Sequence, residues 1–104
     1  MVRKNLYITI LILFVGFAAF AINDIKLGQN YPNPAKEKTY VEVTFESPTA
    51  SLKVYNVLGK KLMEETLGHS GTYMIDVTNY PEGVYIYTLE ANGEKITKRM
   101  TVKK

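Results

Sequence analysis

Beyond its first two dozen residues the sequence predicts a small all-β domain, an antiparallel sandwich, and three observations carry that reading. Apolar residues recur at every second position rather than at helical spacing. β-Branched and aromatic side chains dominate the alternating runs. Turn-forming clusters of Gly, Pro, Asn and Ser break those runs at intervals of about 8–12 residues, the spacing typical of sandwich strands.

The runs follow in order. Thr39, Val41, Val43 and Phe45 alternate with Tyr40, Glu42, Thr44 and Glu46, which suits a strand with one buried face, and Ser47-Pro48 ends it. Leu52–Val57 makes the next strand, closed by a turn at Leu58-Gly59. Lys60–Leu67 alternates poorly and reads as an edge strand whose leading lysines discourage stray pairing. Gly68-His69-Ser70-Gly71 is a loop, and Thr72–Thr78 then sets Tyr73, Ile75 and Val77 on one face. Tyr80-Pro81-Glu82-Gly83 has the residue order of a type I turn, with proline second and glycine fourth. Val84–Glu90 runs into Asn92-Gly93, the strongest short hairpin sequence. Ile96–Lys103 returns with Ile96, Met100 and Val102 on a common face, and Ile25–Gly28 supplies a seventh strand. The expected fold is an immunoglobulin-like antiparallel β-sandwich of about seven strands.

Before the first long strand stands Asn30-Tyr31-Pro32-Asn33-Pro34. Each proline fixes its own φ and pushes the preceding residue toward extended geometry, so a stiff, extended lead-in is expected. Two missing N–H donors keep it from pairing as a central strand.

The first residues are set apart from the fold. Arg3 and Lys4 precede an almost wholly apolar run, Leu6–Phe20, and Ala19-Phe20-Ala21 offers the small-x-small pattern of a cleavage site. Residues 1–21 therefore read as a secretory signal peptide cut after Ala21, leaving residues 22–104 as one domain and the membrane as a transient partner only. The run is shorter than the roughly 20 residues that span a bilayer, and no positive stop follows it. With no cysteine, the chain offers neither a lipoprotein anchor nor a disulfide.

Composition narrows the function. Arg3 and Lys4 account for two of the 13 basic residues, so the remainder nearly balances the 10 acidic ones, and nucleic-acid binding has no electrostatic footprint. Positive charge gathers only at the end, in Lys95, Lys98, Arg99, Lys103 and Lys104. The single histidine, His69, lies in a Gly/Ser loop with no second histidine or cysteine to build a nucleophile–base pair, and it reads as a solvated loop residue. Metal-ligand spacings, a calcium loop and a glycine-rich phosphate cradle are all missing from the pattern, so no catalytic, cofactor or metal site is expected. In Gly83-Val84-Tyr85-Ile86-Tyr87 both strand faces are apolar or aromatic. That fits either a central strand or an aromatic face left open to a partner.

Three stretches, Asn30–Glu37 (NYPNPAKE), Leu52–Leu62 (LKVYNVLGKKL) and Pro81–Lys104 (PEGVYIYTLEANGEKITKRMTVKK), occur in that order and end flush with the C-terminus. Together they resemble the C-terminal sorting domain of proteins exported by the bacterial type 9 secretion system, found in the Bacteroidota. The resemblance covers about Lys26–Lys104. It implies an address rather than a chemistry: passage through the inner membrane to the periplasm, recognition by the type 9 translocon, and delivery to the cell surface or medium, where a surface peptidase commonly acts. Carried onto this chain, it marks Asn30, Tyr31, Pro32, Asn33, Pro34, Tyr55, Gly59, Lys60, Gly83, Tyr85, Tyr87, Gly93, Lys98, Lys103 and Lys104, with the terminal hairpin from Gly83 onward as the prime recognition element. A passenger usually precedes such a domain, whereas here the motif begins soon after Ala21, which fits a free-standing sorting domain, the end of a split or truncated gene, or the fold reused as a small binding module. A small secreted immunoglobulin-like binding or adhesion module is the alternative.

Overall fold

The computed structural model describes residues 25–104, and the expected signal peptide with Ala19 and Ala21 lies outside them. Seven strands form: β1 (Lys26–Leu27), β2 (Lys38–Thr44), β3 (Ala50–Tyr55), β4 (Lys61–Leu67), β5 (Gly71–Asp76), β6 (Gly83–Ala91) and β7 (Glu94–Val102). They make two antiparallel sheets, β1-β2-β5 and β4-β3-β6-β7, which is the sandwich the alternation predicts.

The period of two sets the core. Thr39, Val41 and Val43 of β2 face inward, and Tyr40, Glu42 and Thr44 face out. From the other sheet Ala50, Leu52 and Val54 of β3, Tyr85, Tyr87, Leu89 and Ala91 of β6, and Met100 and Val102 of β7 meet them. β4, with Lys61 and two glutamates exposed, is indeed an edge. Asn92 at φ 52° and Gly93 at φ 79° make the two-residue β6–β7 turn, where both central residues need positive φ.

Three local expectations are corrected. The strand expected over Leu52–Val57 ends at Tyr55, because Asn56 organises the turn: its Oδ1 accepts from Leu58 N at 3.0 Å and Lys60 N at 2.9 Å. The β5–β6 reversal closes at Val77–Tyr80, where Tyr80 N donates to Val77 O at 2.9 Å, rather than at Tyr80–Gly83. Asp76 starts it early by accepting from Thr78 N and Thr78 Oγ1, and those bonds hold its carboxyl below the usual range. The proline lead-in is not simply extended, since the chain bends over residues 32–34; the Tyr31-Pro32 and Asn33-Pro34 peptides there are both cis.

Candidate functional site

The marked residues fall into three structural groups. The first is a strap, residues 29–35, that passes from one sheet to the other. Tyr31 bridges Tyr40 of β2, and Ala35 bridges Val102 of β7 in parallel. Along β7 the strap takes up the backbone groups that β6 leaves free. Gln29 Nε2 donates to Arg99 O (2.8 Å), Thr101 N to Asn33 Oδ1 (3.1 Å), Ala35 N to Thr101 O (2.7 Å) and Lys103 N to Ala35 O (2.9 Å). Prolines at 32 and 34 cost no ladder bonds here, because the strap meets β2 and β7 through Gln29, Tyr31, Asn33 and Ala35.

Beneath the strap lies a closed polar network. Asn30 is 2% exposed, and its Nδ2 donates to Thr39 Oγ1 at 3.0 Å and to Pro32 O at 3.1 Å. Thr39 Oγ1 donates to Pro32 O at 2.8 Å, and Gln29 Nε2 donates to Asn30 Oδ1 at 2.7 Å. Tyr87, fully buried, accepts from Asn30 N at 2.8 Å and donates to Gly28 O at 2.8 Å. Burial pushes the Tyr87 hydroxyl above its ordinary range, against a smaller pull downward from the Asn30 N–H. It therefore stays protonated and keeps its donor.

The second group is the terminal hairpin. Tyr85 and Tyr87 both point into the core, so of the two readings of this strand the central one holds and the open aromatic face does not. Tyr85 Oη donates to Pro81 O, four residues back, at 2.6 Å. That is the tyrosine corner of immunoglobulin-like sandwiches, at the start of the strand where it is expected. Tyr80 packs on the Tyr85 ring with centroids 5.0 Å apart. The hairpin's charges separate. Lys103 is exposed, whereas Lys98 is half-buried on the same face of β7 as Met100. Lys104 folds back, its Nζ donating to Lys36 O (2.6 Å), Val77 O (2.8 Å) and Thr78 O (3.1 Å), while its backbone N donates to Glu82 Oε1 (2.7 Å). Lys104 is thus a clasp between the chain end and the first sheet, and Lys104→Met is expected to cost about 1 kcal/mol. In a domain of this size that lowers Tm by roughly 4–8 °C, read by thermal unfolding.

The third group, Tyr55, Gly59 and Lys60, belongs to the β3–β4 turn at the end of the four-stranded sheet. Gly59 sits at φ 86°, a conformation an L side chain rarely adopts. Elsewhere His69 is exposed, and its ring contacts are Ser70 O and Tyr73 Oη rather than a carboxylate. Among the described residues no three His, Cys, Asp or Glu side chains gather as metal ligands.

A family model described as the secretion system C-terminal sorting domain matches residues 29–103. The chain belongs to that family. The match begins at Gln29, the first residue of the strap, and runs through the second-last residue of the chain. It spans the strap and strands β2 to β7, leaving only β1 of the sandwich outside it. No match is found among curated proteins.

Sequence reading missed the partners of its own motif. Thr39 counted as one more inward position, yet it is the hydroxyl that Asn30 needs. A Thr at the head of an otherwise Val/Phe inner face, nine residues after the Asn that opens the proline motif, is the clue the sequence offers. Gln29 and Asn56 gave none, because their roles depend on which backbone groups the fold leaves open.

Proposed function

We propose that this chain serves as an export address: the type 9 translocon recognises the folded sandwich, carries it across the outer membrane, and delivers it to the surface or medium, where a surface peptidase acts on it. The observation that carries this reading is the family match over residues 29–103, which coincides with a strap that locks the N-terminal motif to the terminal hairpin. The binding-module alternative loses its main support once Tyr85 and Tyr87 are inside the core.

The test fuses residues 22–104 to the C-terminus of a periplasm-directed fluorescent reporter. Accessibility to external protease is compared between a bacterium with a working type 9 system and its translocon-null strain. Surface reporter in the first strain alone is expected; periplasmic retention in both sinks the reading. In the same assay, charge reversal at Lys95, Lys98 and Lys103 asks whether the terminal charge is read. Lys104 is left intact because its ammonium holds three carbonyls. If charge is read, surface reporter falls at least tenfold with the fold retained by circular dichroism. Unchanged export means the address lies elsewhere on the sandwich.

A further inference from the structure

The β3–β4 turn holds two apolar side chains where folding has no use for them. Val57 is 69% exposed and Leu58 is 90% exposed. The turn is not loose. Asn56 N donates to Lys60 O (3.0 Å), Gly59 N to Asn56 O (3.0 Å), and the Asn56 side chain takes two more N–H groups. Four hydrogen bonds within five residues therefore fix a knob of Val57 and Leu58 before anything meets it.

Beside the knob, the outer face of the four-stranded sheet carries a shallow, open hollow, with Tyr55, Val57, Ile86, Thr88 and Thr97 among its lining. Tyr55 and Ile86 are half-buried neighbours in register across β3 and β6. Thr88 lies 2% exposed on this face, and its Oγ1 alone among the described residues is a buried side-chain polar atom with no hydrogen-bond partner. Such an orphan is unusual in a native fold and asks for an explanation. Charge flanks the patch on two sides. Lys60 follows the knob, and Arg99 stands in register with Ile86; both are exposed and neither is in an ion pair among the described residues.

We propose that this knob and hollow are the contact by which the export machinery grips the domain, its occupant a protein surface with an apolar socket rimmed by carboxylates. This rests on the export reading above and names the site that reading leaves open. A few side chains seated in well-packed, desolvated pockets carry most of an interface's energy, and a preformed knob needs no ordering on binding. Opposite charge around the rim steers the approach and fixes its register. A lipid surface would use the knob and the cations, but it has no fixed shape to fill the hollow.

The test uses the full chain, produced in a type 9-competent bacterium and followed with antiserum on intact cells treated with external protease. Variants are Val57→Ser/Leu58→Ser and, separately, Lys60→Glu/Arg99→Glu. Purified protein is melted in parallel, where exposed substitutions should leave Tm unchanged. Expected are normal surface exposure of wild type, at least a tenfold fall for the knob variant, and a severalfold fall for the charge variant. Both variants exported like wild type would overturn the contact while leaving the export reading standing. Wild type retained in the periplasm would overturn the export reading, and the contact with it. Sedimentation of the folded protein with phosphatidylglycerol vesicles, lost in the knob variant while its export is unchanged, would also overturn the contact and assign the knob to lipid.

Discussion

Replacing Tyr87 with alanine is expected to destabilise the domain by about 3–5 kcal/mol, as removal of a large buried aromatic does. A domain of this size holds on the order of 5–10 kcal/mol in total, so the variant sits at or near the edge of folding. The cost has two parts that can be separated. The ring fills the centre of the sandwich with no exposed surface, and its hydroxyl joins Asn30 N to Gly28 O. Tyr87→Phe keeps the ring and removes only the hydroxyl, stranding one N–H and one C=O in the interior at about 1–3 kcal/mol. Tyr85→Phe makes the control: its hydroxyl serves one carbonyl, Pro81 O, in a partly exposed corner, and about 1 kcal/mol is expected. Urea unfolding read by tyrosine fluorescence gives all three midpoints. If Tyr87→Phe proves as mild as Tyr85→Phe, the hydroxyl does not tie the strap to the core.

Why the sequence shows so much of the fold and less of the site follows from the same residues. Alternation in Thr39–Phe45 and Val84–Glu90 is a repeated local pattern, and each strand announces its buried face by itself. Asn92-Gly93 specifies its turn just as locally, through the positive φ that both residues accept. The strap is different. Pro32 and Pro34 state only that this stretch is no ordinary strand, while its route depends on Arg99, Thr101 and Lys103, some 68 positions away, presenting a free edge. The Asp76 side chain likewise moves the β5–β6 turn ahead of the better-looking Tyr80–Gly83 sequence, because Thr78 is in reach before Pro81 is. Lys104 is the sharpest case. As a terminal charge it looks like solvated surface, yet three carbonyls from two distant segments converge on it.

The buried Asn30 gives the second large effect, and one with a sign that pH reveals. Asn30→Ala removes both amide donors from Thr39 Oγ1 and Pro32 O and the acceptor from Gln29 Nε2, for an expected loss of about 2–3 kcal/mol. Combined with Thr39→Val it should cost clearly less than the two single changes added together, since the pair shares one network around Pro32 O. Asn30→Asp keeps the shape but points a carboxylate at two oxygens in a site that is closed to water. Burial and the facing acceptors raise the new carboxyl's pKa in the folded state above its unfolded value of about 3.9. A group raised in this way is destabilising where it must ionise and is relieved as the pH falls. Protonated, it can donate to Pro32 O much as the amide does. Asn30→Asp should therefore lose more stability than Asn30→Ala at pH 7, and the gap from wild type should narrow toward pH 4. Urea midpoints of the three proteins at the two pH values decide it: a gap that stays constant would mean the strap opens to let the carboxylate reach water, and the network under it does not hold the two sheets together.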